Sequence, residues 1–251
     1  SIFSGKKNVK IEAYRKKLTV FFSDIKGFTE ITDRLEPEVL STLLNSYLNE
    51  MSKIALKYGG TIDKFVGDAI LIFFGDPETK GEKEDAHSCV LMALEMQERM
   101  HHLKNLWEDQ GITNPLEIRI GINTGYCNVG NFGSKNRLDY TIIGGEVNLA
   151  SRLESNAMAG QILISKETHA LIKKHIVCEK KDEIKVKGIA HKIQTYQVVG
   201  SYENVAKKRK ILNKKFDGFN LNIDLNISKK NKVITSLENT LKQLKKTEKT
   251  N

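Results

Sequence analysis

The sequence lacks several features that would place it in other classes of protein. None of its apolar runs approaches the ~18–20 residues needed to cross a membrane; the longest are residues 18–22 and 69–75. No signal peptide is recognisable. The three cysteines, Cys89, Cys127 and Cys178, are isolated and have neither CxxC nor CxxxxH spacing. We therefore expect reduced thiols and a cytoplasmic location.

What is present suits one large domain, or one domain with an extension. The chain has 251 residues, 39% of them hydrophobic, and a net charge of +9. Much of the positive excess lies late, in residues 207–215 and 242–249. A basic tail is more often a solvated surface than a binding site, so we expect no nucleic-acid partner. The sequence starts at Ser1 rather than Met, so we expect a longer parent protein with a sensor or membrane domain upstream.

Hydrophobic periodicity predicts an α+β sandwich of ferredoxin-like type. After a polar arm, the expected strands and helices are strand 18–23, helix 38–58, strands 61–66 and 69–74, helix 84–107, strands 116–123 and 126–130 around a turn at 124–125, strand 139–143, helix 146–155, strand 162–165, helix 166–174, and strands 184–186 and 193–199. The last part of the chain adds one strand, 219–223, and a helix around 233–244.

The first informative motif is FFSDIKGFT, residues 21–29. Asp24 ends an apolar run, and a carboxylate at the end of a buried strand is costly unless a cation meets it. Residues 25–29 then offer successive backbone amides, with Gly27 where the backbone must come close. Such a turn can bind phosphate groups. Read alone, it also fits an ordinary strand-to-helix turn with Asp24 as the N-cap.

The second motif is DKFVGDAILIFFG, residues 63–75, which places Asp68 at the tip of a hairpin. A second carboxylate beside Asp24 would give two hard oxygen ligands for Mg²⁺ or Mn²⁺. A pair of such ions can activate an attacking hydroxyl and neutralise a leaving phosphate. The alternative is that Asp68 only satisfies a turn, where Gly-Asp is common.

The third motif is DYTIIGGEVNLASRLE, residues 139–154. Asn148 and Arg152 are four residues apart on a predicted helix and therefore share one face. An amide and a guanidinium together can hold a ribose and a charged phosphorus centre. The alternative is that both face solvent. The Gly144-Gly145-Glu146 segment is similar to the GG[DE]EF signature of diguanylate cyclases, but no second acid or Phe follows.

In this order the three motifs resemble the catalytic domain of class III nucleotidyl cyclases, of the bacterial adenylate cyclase type. The resemblance covers about residues 17–199. We therefore assign residues 1–17 to an N-terminal arm, 18–200 to the cyclase domain and 201–251 to a basic C-terminal extension. The resemblance also implies a head-to-tail homodimer with its active sites at the interface.

The resemblance implies roles for individual residues. Asp24, Asp68 and the Ile25 carbonyl would hold two Mg²⁺ or Mn²⁺ ions. Asn148 and Arg152, from the partner subunit, would orient the ribose and stabilise the pentavalent α-phosphate. The residues implied to bind the substrate are Gly67 and, at its phosphates, Lys26, Gly27, Phe28, Thr29, Arg119 and Lys187. The family often has Gly-Lys-Gly after the last of these, whereas this chain has Gly-Ile-Ala.

Two positions indicate the base. Adenylate cyclases that resemble this chain have a lysine and an Asp or Thr where Lys64 and Thr141 stand, and guanylate cyclases typically have Glu and Cys. A lysine can donate to adenine N1 and a hydroxyl can accept from the N6 amine, whereas guanine presents the opposite pattern. We therefore expect an adenylate cyclase that converts ATP to 3′,5′-cyclic AMP and pyrophosphate. The alternatives are a guanylate cyclase and an inactive cyclase-like regulatory module.

Overall fold

The central strand of the fold is the chain's first apolar run. The computed structural model describes residues 13–33, 35–109, 116–134, 137–186, 192–208, 211–224 and 230–247. Strand β1 extends over Ala13–Ile25. Phe21 and Ile25 belong to one core cluster, whereas Leu18 and Val20 belong to another. Successive side chains of a strand point to opposite faces, so this strand is buried on both sides. Because it begins at Ala13, part of the expected arm belongs to the sheet.

The chain divides into two compact units, residues 1–200 and 201–251. The elements that follow β1 in the first unit are α1 (Phe28–Thr32), α2 (Pro37–Tyr58), β2 (Thr61–Val66), β3 (Ala69–Phe74), α3 (Glu82–Asp109), β4 (Ile118–Ser134), β5 (Arg137–Ile143), α4 (Gly145–Asn156), β6 (Ile162–Ser165), α5 (Lys166–Ile172), β7 (Ile176–Ile184) and β8 (Ile193–Ser201). Within the described ranges, no helix is both long enough and apolar enough to span a membrane.

The strand order confirms the predicted fold class. The main sheet runs β2-β3-β1-β4-β6-β8-β7, with β5 paired to β4. Its first four strands pair antiparallel, and helices separate β1 from β2 and β3 from β4. This is the βαββαβ arrangement of a ferredoxin-like sandwich. Strand β6 pairs parallel to β4 and extends the sheet.

Two long helices cover one face of the sheet. Helix α2 begins at Pro37, where the missing amide hydrogen costs nothing, and ends at Gly59, which is left-handed with φ 82°. Its buried Tyr47 and Met51 join Met92 and Met96 of α3 in the larger core cluster. The opposite face carries the smaller cluster, to which α4 contributes Ala150. Helices therefore pack on both faces of the sheet, α2 and α3 on one and α4 on the other.

The structure corrects two strand predictions. The predicted turn at residues 124–125 does not exist, because β4 continues through it and pairs with β1 from Ile118 to Gly130. Gly125 leaves space for another side chain, since a Cβ there would lie 2.5 Å from the Glu146 carboxylate and would displace it. The strand expected at residues 184–186 is β7, which ends at Ile184 instead of beginning there.

The second unit contains α6 (Tyr202–Lys208), β9 (Ile211–Phe216), β10 (Phe219–Asp224) and α7 (Lys230–Thr247). The two strands form an antiparallel hairpin, and Phe216 and Phe219 stack with their ring centroids 4.5 Å apart. The predicted strand and helix of this region are confirmed as β10 and α7. Strand β9 and helix α6 were not predicted.

Candidate active site

The end of β1 brings Asp24 to the edge of a buried layer. Its neighbours Ser23 and Ile25 are buried, whereas the Asp24 side chain is 26% exposed. After the strand, Gly27 turns the chain with φ 70° before α1 begins at Phe28. A positive φ of this size favours glycine. The carboxylate therefore stands where a buried strand meets a glycine turn.

The β2–β3 hairpin places Asp68 against the same strand end. Gly67 at the hairpin tip has φ 65°, and Asp68 Oδ2 accepts a hydrogen bond of 2.9 Å from the Ile25 amide. Burial and then the adjacent Asp24 carboxyl raise the pKa of Asp68 from its ordinary 3.8 to about 7. Two carboxyl groups this close cannot both ionise freely without a positive charge between them.

This carboxyl pair fits a divalent cation. Hard oxygen ligands are what Mg²⁺ and Mn²⁺ prefer, and a cation would offset both the burial and the Asp24 repulsion that raise the pKa of Asp68. Among the described residues, no group of three or more His, Cys, Asp or Glu side chains is arranged to hold a metal. The part of the chain that the structure describes therefore supplies two carboxylates here, and further ligands would come from backbone carbonyls, water or a bound anion.

Arg119 lies opposite Asp24 on β4. Its Nη2 donates to Asp24 Oδ2 at 3.0 Å, and its Nη1 donates to the Ser155 carbonyl at 3.2 Å. Its Nε is 2.6 Å from Glu154 Oε1, an ion pair without an aligned hydrogen bond. Burial raises the pKa of Glu154 to about 7, although Arg119 acts in the opposite direction. The guanidinium is thus held between two carboxyl groups, beside the candidate metal ligands.

The turn after Asp24 has fewer free amides than its sequence indicates. The Ile25 amide already donates to Asp68, and the Lys26 amide donates to the Glu117 carbonyl at 2.8 Å. The amides of Gly27, Phe28 and Thr29 have no backbone or side-chain acceptor among the described residues. Only this second half of the turn, together with the exposed Lys26 side chain, is available to phosphate oxygens.

Lys64 and Thr141 both contact Asp63, a residue that the sequence analysis did not identify. Asp63, in β2, accepts a hydrogen bond of 2.6 Å from Thr141 Oγ1 and one of 3.1 Å from the Ile142 amide. Its other carboxylate oxygen is 3.3 Å from Lys64 Nζ. The Asp63 side chain is 1% exposed, whereas that of Lys64 is 48% exposed. The two predicted base-contacting residues are therefore joined in one chain.

Helix α4 presents Asn148 and Arg152 to solvent. The helix can rest directly on β4 because Gly121 has no side chain; a methyl there would overlap the Ala150 carbonyl and the Glu154 amide. Its first turn is fixed by Asn123, whose Nδ2 donates to Glu146 Oε2 at 2.7 Å. Neither Asn148 nor Arg152 has a side-chain hydrogen bond or ion pair with any residue that the structure describes. Both are presented, but neither contacts Asp24 or Asp68.

A family model described as the adenylate and guanylate cyclase catalytic domain matches residues 9–200. The chain belongs to this family. Within it, Adenylate cyclase 1 of Rhizobium meliloti is 32% identical over 190 residues, which are 75% of this chain and 28% of that protein. The cyclase domain described here thus spans less than a third of that relative's length.

Solved structures of the family share the fold. The crystal structure of the adenylyl cyclase CyaB from P. aeruginosa is 64% identical, with a TM-score of 0.75, over 76% of this chain and 97% of that chain. The guanylyl cyclase Cya2 is 36% identical, with a TM-score of 0.72, over 76% of this chain and 95% of that chain. The cyclase domain therefore resembles relatives named for both activities.

Sequence analysis missed Asp63 and Glu154, although each carried a signal. Asp63 interrupts an apolar strand run, and Glu154 lies one helical turn after the buried Ala150 on the apolar side of α4. A carboxylate at such a position requires a buried partner. The predicted phosphate-binding residue Lys187 lies outside the described residues.

Proposed function

We propose that this chain is an adenylate cyclase catalytic domain. The ribose 3′-oxygen of ATP attacks the α-phosphorus and forms the 3′-O–P bond, while the bond between the α-phosphorus and the β-phosphate oxygen breaks. The hydroxyl proton leaves to solvent, and the products are 3′,5′-cyclic AMP and pyrophosphate. The observation that carries this proposal is the Asp24–Asp68 carboxyl pair beside Arg119, at the start of a turn with free amides.

Asp24 and Asp68, with the Ile25 carbonyl, would hold two Mg²⁺ or Mn²⁺ ions. Such ions lower the pKa of a bound hydroxyl and stabilise negative charge on phosphate oxygens. Burial and then the adjacent Asp24 carboxyl raise the pKa of Asp68, and a cation held by the two groups would favour their charged forms, which supports this assignment. With a cation at Asp24, the Arg119 group that now donates to Asp24 would be available to a phosphate oxygen, while Glu154 and the Ser155 carbonyl would still hold the guanidinium.

The remaining contacts follow from the chemistry of each group. The Gly27, Phe28 and Thr29 amides and the Lys26 side chain would bind the phosphates, with Gly67 allowing close approach and Lys187 adding a positive charge. Lys64 would donate to adenine N1, and Thr141 would accept from its N6 amine. Their position side by side at Asp63 supports a shared role at the base.

Asn148 and Arg152 would complete the site from a second copy of the chain. Both side chains are exposed and unpaired within the described part of their own chain, and both are of the kind that stabilises a transferring phosphoryl group. A head-to-tail homodimer would bring the α4 helix of one copy to the Asp24–Asp68 pair of the other.

The three cysteines are free thiols, which supports a cytoplasmic location.

The direct test is nucleotide turnover by the purified chain with Mn²⁺ or Mg²⁺. We expect cyclic AMP from ATP, and a kcat/KM for ATP well above that for GTP. Cyclic GMP as the main product would show a guanylate cyclase instead. Binding of nucleotide without either product would show a regulatory module.

The shared site has its own test. We expect Asp68→Ala and Arg152→Ala chains to be inactive alone and to recover activity when mixed, because each heterodimer then contains one intact site. Recovery should approach a quarter of wild-type activity if the chains pair at random. Mixing two samples of Asp68→Ala chains is the control. No recovery, with heterodimers demonstrated by tagged pull-down, would contradict the shared arrangement.

A further inference from the structure

The hydrogen bond between Thr141 and Asp63 has a direction. A threonine hydroxyl carries one hydrogen and can either donate or accept. Here Oγ1 lies 2.6 Å from Asp63 Oδ2, an oxygen that also accepts from the Ile142 amide. The amide can only donate, so Oδ2 is an acceptor in that contact. The single hydroxyl hydrogen of Thr141 is therefore committed to Asp63, and the hydroxyl can only accept from any further group.

Purine bases differ in what they offer at the 6-position. Adenine has an amine, which donates, whereas guanine and hypoxanthine have a carbonyl oxygen, which accepts. A free threonine hydroxyl could rotate to satisfy either. A hydroxyl whose hydrogen is already committed satisfies only the amine, and a carbonyl oxygen would face a lone pair without a hydrogen bond.

We propose that Asp63 is a positioning residue that makes the site selective for a 6-amino purine, by fixing the hydrogen-bond polarity of Thr141. This inference rests on the proposed function, in which Thr141 and Lys64 face the base. Asp63 itself is 1% exposed at its side chain and does not reach the base. Its influence is exerted through Thr141, which is 6% exposed.

The competing explanation is structural. Asp63 joins β2 to β5, two strands separated by 78 residues at the Thr141 contact, and loss of that connection would lower activity in any case. A structural role changes turnover of every nucleotide alike. A role in base selection changes the ratio between nucleotides that differ at the 6-position, so this ratio is the decisive readout.

The experiment compares ATP with inosine triphosphate, which differs from ATP at the 6-position and the adjacent N1. We measure the ratio of kcat/KM values for wild type, Asp63→Ala and Asp63→Thr. Threonine suits a strand, and its hydroxyl can either donate to Thr141 or accept from it, so this variant can keep a contact between the strands without fixing the polarity of Thr141. We expect both variants to lower the ATP preference about ten-fold, the size of one buried hydrogen-bonding mismatch.

Asp63→Asn is the conservative control. Its amide oxygen can accept from both Thr141 and Ile142, so we expect the ATP preference to stay within about threefold of wild type. In a Thr141→Val background, the Asp63→Ala substitution should no longer change the ratio, because the hydroxyl through which it acts is absent.

Two outcomes overturn the proposal: an unchanged ATP preference in folded Asp63→Ala and Asp63→Thr chains, or a full Asp63→Ala effect that persists in the Thr141→Val background. Displacement of a fluorescent ATP analogue by ATP or inosine triphosphate gives the same ratio from binding alone. If wild type binds ATP but forms no cyclic nucleotide, the proposed activity fails while the binding ratio still tests Asp63. If wild type binds both nucleotides equally, the selectivity assigned to Asp63 fails.

Discussion

Two carboxylate clusters on one hairpin differ in how their charge is balanced. At the tip, Asp68 faces Asp24, and its pKa is raised to about 7. In the adjoining strand, Asp63 is bonded to Thr141 and the Ile142 amide and lies beside Lys64. In the first cluster Arg119 pairs with Asp24 at 3.0 Å, but no cation among the described residues pairs with Asp68, so the carboxyl pair is suited to bind cations. In the second, one carboxylate oxygen is hydrogen-bonded and the other is ion-paired within the same chain, so it is suited to present a fixed donor and acceptor to an uncharged ring.

The largest effect is expected when the unbalanced cluster is neutralised. Asp68→Asn should lower cyclic AMP formation by about 10³-fold, because a ligand of ions that supply several kcal/mol of charge stabilisation is weakened. The same substitution should raise the thermal unfolding temperature of metal-free protein at pH 8, because an amide does not repel Asp24. The measurements are a cyclic AMP assay and thermal unfolding in EDTA.

Asp33→Asn, at an exposed position after α1, is the matched control and should change neither quantity. A lower unfolding temperature for Asp68→Asn than for wild type at pH 8 would show that the protein itself compensates the negative charge of Asp24 and Asp68. The Asp68 and Asp63 clusters would then not differ in how their charge is compensated.

Glu154→Gln should have the next largest effect. Glu154 pairs with Arg119 on the side opposite to Asp24, and its side chain is 4% exposed. Glutamine keeps the size but removes the charge, so Arg119 should remain with Asp24 and compete with the ions. We expect the KM for ATP to rise about ten-fold, as is typical when a supporting partner of a metal or phosphate ligand is lost. Glu117→Gln is the control, because Glu117 is exposed and lies two residues before Arg119 on the chain. An equal rise in the KM for ATP in this variant would contradict the role assigned to Glu154.

Substitutions of Lys64 and of Arg152 should differ in their effect on the free energy of unfolding. Lys64→Met leaves one oxygen of the buried Asp63 carboxylate without a partner and should cost about 1 kcal/mol, discounted for the partial exposure of the lysine. Arg152→Met removes an exposed, unpaired side chain and should change the free energy of unfolding by less than about 0.5 kcal/mol. Urea unfolding of both variants measures the difference. Equal changes in the free energy of unfolding would mean that Lys64 does not stabilise the buried Asp63 carboxylate.

The smallest effect is a pH dependence of metal-free stability. The folded-state pKa of Asp68, about 7, lies above its ordinary 3.8, so the folded chain retains this proton where the unfolded chain has lost it. The contribution to stability is complete below about pH 4 and is lost as pH rises through 7. In EDTA the unfolding temperature should therefore be lower at pH 8 than at pH 5.5, by an amount that shrinks in Asp68→Asn. A pH dependence unchanged by that substitution would assign it to other groups, Glu154 among them.

Local patterns were sufficient for much of the fold. The β2–β3 hairpin and helix α2 were predicted nearly to the residue, because alternation, helical spacing and the Pro37 and Gly59 signals all agree there. The reading of Gly125 as a turn failed because glycine also occurs where another segment needs space. That other segment, the Glu146 side chain, comes from a helix that only the folded chain brings into contact.

The candidate site was predictable where a motif is contiguous. Asp24, Asp68, Asn148 and Arg152 each lie in a run of residues whose chemistry can be read directly. Asp63 and Glu154 act through partners far along the chain, Thr141 and Arg119 respectively. Their partners depend on strand order and helix placement, which residue spacing alone does not give.

The contact at Gly121 has a consequence for regulation. Since the backbone of α4 rests on β4 with no side chain between them, the helix cannot slide along the sheet like a loosely packed one. We therefore expect Arg152 on that helix and Arg119 on that strand to keep their relative positions. If the active site is shared, the remaining freedom is the angle between two copies of the chain. An activating signal is then expected to rotate one copy against the other, rather than to rearrange either of them.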